Sequence, residues 1–311
     1  MNTISKLLAI CCIAVLLSGC GSEEAEQTRE EVIKQVNATG ILTDKQAETL
    51  ANSKVLSLRL NGLTEITDEQ AKSLSRATKN LTLDGLTSIS DKQAESLGKA
   101  NGVSLNSLTS ITDQQAESLG KAKGLQLNSL SSITDEQAES LCRYDGYLSL
   151  GGLTSITDQQ AESLSKARHL LLSGLISITD EQAKSLSKVT GYLDLTGLTS
   201  ITDLQAENLS NVETLYLNGL TSITDEQAKS LSKVAGYLYL NGLTEITDEQ
   251  AAILGGVTCW LYLDGLTSIT DDQAEILSKI RFLSLNGLTS ITAEQARSLS
   301  NVRLLQISEA L

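Results

Sequence analysis

The sequence predicts an α/β solenoid, one parallel sheet backed by a layer of short helices and built from about twelve units of 22–23 residues. Three observations predict it. An Ile-Thr-Asp-like triplet recurs with its aspartate at Asp44, Asp68, Asp91, Asp113, Asp135, Asp158, Asp180, Asp203, Asp225, Asp248 and Asp271, and Ala293 stands in that place in the last copy. A skeleton of leucines repeats around the triplet, and a fixed period of about 20–29 residues with such a skeleton is the mark of a solenoid. The composition fits: 41 % hydrophobic residues can build a core, while 3 % aromatics require that core to be aliphatic.

Each unit can be justified element by element, taking Tyr237 to Gly255 as the example. Leu238-Tyr239-Leu240 alternates an inward leucine with an outward residue, which makes a short strand. Asn241-Gly242 turns the chain, and Leu243 and Ile246 return to the core. Thr247 followed three residues later by Gln250 is a capping box that opens a helix. Asp248 sits in the first helical turn, where the helix dipole favours negative charge. Ala251 and Leu254 then face inward. No unit can bury its leucines alone, so the units must stack. Helices are about 10 Å wide and strands are spaced by about 4.8 Å, so the stack curves with its sheet on the concave side.

The pattern Leu-x-Leu-x-x-Leu-x-x-Ile-Thr-Asp-x-x-Ala-x-x-Leu resembles that of leucine-rich-repeat proteins over residues 41–311. It is nearest to the cysteine-containing type of repeat, with leucine (Leu243, Leu266, Leu288) at the cysteine position. The resemblance implies a right-handed horseshoe. On function it implies little, because the fold serves receptors, inhibitors, adhesins and scaffold subunits.

Before the array, Lys6, the apolar run Leu7 to Leu17 and then Ser18-Gly19 read as a signal peptide over residues 1–19. Leu17-Ser18-Gly19-Cys20 resembles the lipobox of bacterial lipoproteins. That resemblance implies a lipid on Cys20, a place in the cell envelope and, with Gly21 rather than aspartate next, the outer membrane. Residues 20–40 are acidic and read as a solvated tether, with Arg29 to Val36 suited to a helix that caps the array. Cys142 and Cys259 lie before the fifth and tenth strands, about 24 Å apart at five strand spacings, too far for a disulfide.

The outward strand positions divide the array. In the first four units the leading position holds Ser57, Asn80, Gly102 and Gly124, and the middle one Arg59, Thr82, Ser104 and Gln126. From the fifth unit the leading position holds Tyr147, His169, Tyr192, Thr214, Tyr237, Trp260, Phe282 and Leu304. The middle position holds Ser149, Leu171, Asp194, Tyr216, Tyr239, Tyr262, Ser284 and Gln306. Eight of the nine aromatics fall in these slots, Tyr144 being the exception. Half covered by neighbours, eight such rings expose roughly 600–800 Å², more than a soluble protein usually leaves bare. The expected ligand-binding residues are therefore Tyr147, His169, Leu171, Tyr192, Tyr216, Tyr237, Tyr239, Trp260, Tyr262 and Phe282. The Asn and Asp residues after the second strand leucine are expected to serve the following turn. A calcium site on Asp84 or Asp264 is the weaker reading of that column.

A net charge of −14 and a pI near 4.6 argue against nucleic acid. One histidine, no glycine-rich phosphate loop and carboxylate pairs that belong to the repeat leave no catalytic constellation, and no cofactor or metal site is expected. Three readings remain: a protein partner on the aromatic concave face, a polysaccharide stacked on the aromatic rows, and a spacer that self-associates through its C-terminal edge.

Overall fold

The structure, a computed structural model, describes residues 22–53, 55–142 and 146–308. The proposed leader, Cys20 and Tyr144 lie outside the described residues. The first element is a helix, α1 (Ser22–Thr39), longer than the Arg29 to Val36 stretch expected, since no glycine or proline interrupts residues 22–39. Val32 and Val36 of α1 are buried. Asn37 ties the helix to the first unit, its Nδ2 donating to the Arg59 carbonyl at 3.1 Å and its Oδ1 accepting from the Gly62 N–H at 2.9 Å. The helix ends at Gly40, whose φ of +67° suits glycine.

Twelve strands then alternate with twelve helices. The strands are β1 (Val55–Arg59), β2 (Thr78–Thr82), β3 (Gly102–Ser104), β4 (Gly124–Gln126), β5 (Tyr147–Ser149) and β6 (His169–Leu171), followed by β7 (Tyr192–Asp194), β8 (Thr214–Tyr216), β9 (Tyr237–Tyr239), β10 (Trp260–Tyr262), β11 (Phe282–Leu285) and β12 (Leu304–Ile307). They form one parallel sheet in chain order. The register advances by one unit per strand, so that Leu238 faces Leu261 and Tyr239 faces Tyr262. The fold is the repeat solenoid that the periodicity predicts.

The unit is built as its residues dictate. Leu238, Leu240, Leu243, Ala251 and Leu254 are fully buried, and Ile246 nearly so. All twelve repeat helices open with the Thr/Ser-x-x-Gln capping box, from Thr43 and Gln46 to Thr292 and Gln295. Gly242 has no room for a side chain, since a Cβ there would stand 2.2 Å from the Asn218 carbonyl of the preceding unit. Burial depends on the neighbour. The helix alanine is fully buried in the first eleven repeat helices, but Ala296, with no described helix beyond it, is exposed.

Polar ties also join the units. In eleven helices the capping glutamine turns its Nε2 back to a carbonyl of the unit before, as Gln205 does to Ile178 at 2.9 Å and Gln250 to Ile223 at 2.8 Å. Its Oε1 meanwhile accepts from the N–H of its own capping residue. One amide thus satisfies groups in two units. The helix-start aspartates do the same, Asp203 accepting from Thr224 Oγ1 at 2.8 Å and Asp135 from Thr157 Oγ1 at 2.9 Å. Cys142 and Cys259 are free, buried thiols. Burial pushes the Cys142 thiol up to about 12.

Candidate binding face

A three-residue strand turns its central leucine inward and its two flanking residues outward. In the last eight strands that alternation, with one-unit register, brings all eight slot aromatics and His169 into one connected array. Tyr216 and Tyr239 stack at 4.1 Å between ring centres and 7°, and Tyr239 and Tyr262 at 4.1 Å and 14°. In the leading row Tyr237 lies over Trp260 at 5.5 Å, and Trp260 over Phe282 at 4.1 Å and 3°. Tyr237 and Tyr239 join the rows at 6.4 Å. Tyr192 links to Tyr216 edge-on at 6.3 Å and to Tyr147 edge-on at 6.2 Å, and it stacks on His169 at 4.2 Å. Leu171 sits half-buried beside Asp194 and Ser149, outside the ring contacts.

The expectation of widely exposed rings is corrected by this geometry. Stacked neighbours cover one or both faces of most of the rings, Tyr147 beside Gly124 being an exception, and Tyr237, at 37 %, is the most exposed of the eight. Each of the eight rings keeps part of its surface in solvent, held in place by its neighbours. Burial, then the neighbouring Tyr216 and Tyr262 hydroxyls, hold the Tyr239 phenol above its ordinary range. Burial also raises Tyr147, and it raises Tyr192 to about 12 with added repulsion from Tyr147, Tyr216 and Asp194.

His169 is built into the ladder. Its Nδ1 accepts from the Tyr192 N–H at 3.3 Å, and its ring fills the space that a Cβ at Gly191 would need, 2.4 Å away. The Asn/Asp column is corrected too. These side chains serve mainly the next unit, not their own turn: Asn218 Oδ1 accepts from the Asn241 N–H at 3.1 Å, and Asn241 Oδ1 from the Asp264 N–H at 3.0 Å. Asp84 and Asp264 each accept from a serine hydroxyl at 2.6 Å and from a backbone N–H of the following unit.

The first four strands carry a feature that their small and polar outward residues do not by themselves announce. There the same face holds an open hollow of about 880 Å³, bordered by Arg59, Lys79, Asn80, Lys123 and Gln126 and reaching Tyr147. The available signal was Gly102 and Gly124, in slots that carry rings further along the chain.

No protein-family profile matches the sequence, and no curated protein matches it. Among solved structures, 181 chains match. One comes from the structure of the Toll–Spatzle complex, described as a hub in Drosophila development and innate immunity. It aligns with a TM-score of 0.53 and 16 % identity over 86 % of this chain. The present chain spans 40 % of that one. The likeness concerns the fold, which is a leucine-rich-repeat solenoid.

Proposed function

We propose that this chain is a binding protein of the bacterial cell envelope, anchored by a lipid on Cys20, which holds a protein partner on the aromatic stretch of its concave face from Tyr147 to Phe282. The observation that carries the reading is the self-stacked ladder. Sugar rings bind aromatic side chains through open ring faces, and here the neighbouring strands occupy most of those faces. Rings held in fixed positions suit a protein surface, because pre-ordered tyrosine and tryptophan lose little entropy on binding. The Toll chain, whose fold this one shares, was solved in a complex with Spatzle, which supports a binding role. The role is binding rather than catalysis, with the single histidine committed to a backbone bond through Nδ1.

The test is capture of envelope proteins by the full chain beside a Tyr239→Ala/Trp260→Ala variant shown to be folded by circular dichroism. A partner protein held by the wild type and lost by the variant is expected. Equal capture by both would remove the aromatic face as the site, and release by added glycans would favour polysaccharide there. The anchor is tested separately: Cys20→Ala should free the chain from membranes, and continued attachment would place the anchor elsewhere.

A second reading, self-association, is favoured by β12, where Leu304 is 48 % exposed and Leu305 and Ile307 are only part-buried. Concentration-dependent sedimentation abolished by Ile307→Lys would support it.

A further inference from the structure

We infer that the N-terminal hollow of the concave face is a second binding site, meeting the aromatic ladder only at its first ring, Tyr147, and that it takes an acidic oligosaccharide. The first argument is that packing does not force the hollow to be empty. Gly124 pairs in register with Tyr147. A Cβ at Gly124 would meet nothing closer than 3.6 Å, an ordinary contact. In six of the next eight strands the same slot carries an aromatic ring or imidazole. The fold would accept a side chain at Gly124, and the glycine keeps open about 880 Å³, within the range of small-ligand sites.

The second argument is chemical. The chain carries a net charge of −14, yet Arg59, Lys79 and Lys123 gather at this hollow, with Asp84 the only acid among the described residues that line it. Asp84 Oδ1 is already engaged by the Ser104 hydroxyl and the Asn106 N–H. Among the described residues none of the three cations forms an ion pair. The neutral lining is rich in amides and hydroxyls, such as Asn61, Asn101, Gln126 and Thr82. Leu81 and Val103 lie buried in its floor, so Tyr147 is the main apolar surface it offers. Carboxylates suit the arginine and lysines. Ring hydroxyls suit the amides, which both donate and accept. A sugar ring can stack on Tyr147, which has no side chain opposite it on β4. A peptide would bring apolar side chains for which the hollow has no pocket. The site crosses β1 to β4, about 14 Å at three strand spacings, enough for a short chain of sugars.

The test is calorimetric titration of the full chain, purified in detergent, with trigalacturonic acid. Maltotriose serves as the neutral control and a pentaglutamate peptide as the acidic control. Trigalacturonic acid should bind, at least tenfold more tightly than either control, and weaken as salt is raised. Lys79→Gln/Lys123→Gln should weaken it at least tenfold. Gly124→Tyr should abolish binding while leaving the urea midpoint of unfolding in place. Tyr239→Ala should leave the titration unchanged, which separates this site from the protein-binding role of the ladder. Absence of binding, binding that survives Gly124→Tyr in the folded chain, or tighter binding of pentaglutamate would each overturn the inference.

Discussion

Gln126 on β4 and Tyr262 on β10 occupy the same slot in two different units, yet one borders an open hollow and the other closes a stack of rings. The framework under the two is alike. Gln115 and Gln250 each cap their own helix and reach back to an isoleucine carbonyl of the unit before, at 2.9 and 2.8 Å. Asp84 and Asp264 each hold a serine hydroxyl and the next unit's N–H. The repeat framework and the character of the face are therefore set by different residues. The inward leucines, glutamines and aspartates repeat with little variation, and the outward pair on each strand is free to differ.

The comparison can be broken most forcefully through the shared framework. Gln115→Glu and Gln250→Glu each keep a capping oxygen but replace the Nε2 donor with a buried carboxylate oxygen facing a carbonyl. Each should cost about 3 kcal/mol of stability, measured by urea unfolding at pH 7. Equal losses are expected in the two halves, and a loss at one site alone would show that the frameworks differ. Next in size is the ladder. Tyr239→Ala removes two face-to-face contacts and should cost about 2 kcal/mol, whereas Thr82→Ala, in the same slot of β2, should cost under about 0.5 kcal/mol. Similar values for the pair would mean that the stacking adds nothing.

The smallest effect is one of pH. No tyrosine stands before Tyr144, so only the later strands can respond to phenol ionisation. Tyr192 is raised to about 12, and a free phenol ionises near pH 10. A group that holds its proton more tightly when folded contributes stability that is complete below about pH 10 and is lost as pH rises through about 12. Amide hydrogen exchange between pH 9 and 11 should therefore quicken, beyond the intrinsic rate, in β5–β10 and not in β1–β4. Uniform change along the sheet would contradict this.

The sequence shows the architecture because every unit repeats one solution: the leucine spacing fixes the strand, the capping box fixes the helix start, and register follows from stacking. It also shows which side chains share a face. Ring orientation is not visible there, since Tyr239 could present a face or an edge from the same slot. Nor is volume, for Gly124 reads as an absence when only a row of residues is considered. The reach of the glutamines had left a trace. All twelve capping boxes use glutamine and none glutamate, although either serves a capping box. That uniformity asks for an amide donor, and the carbonyl that accepts it lies in a different unit, 26–28 residues away.

Because each unit addresses the one before it through the same amide and the same carbonyl, deleting or duplicating a whole unit leaves every such bond with a correct mate. The separation between the cation-lined hollow and the last ring at Phe282 can then be reset in increments of one strand spacing, about 4.8 Å, without redesigning either end. The scaffold works as a graduated rule, on which evolution or an engineer could move two attachment points apart by whole notches.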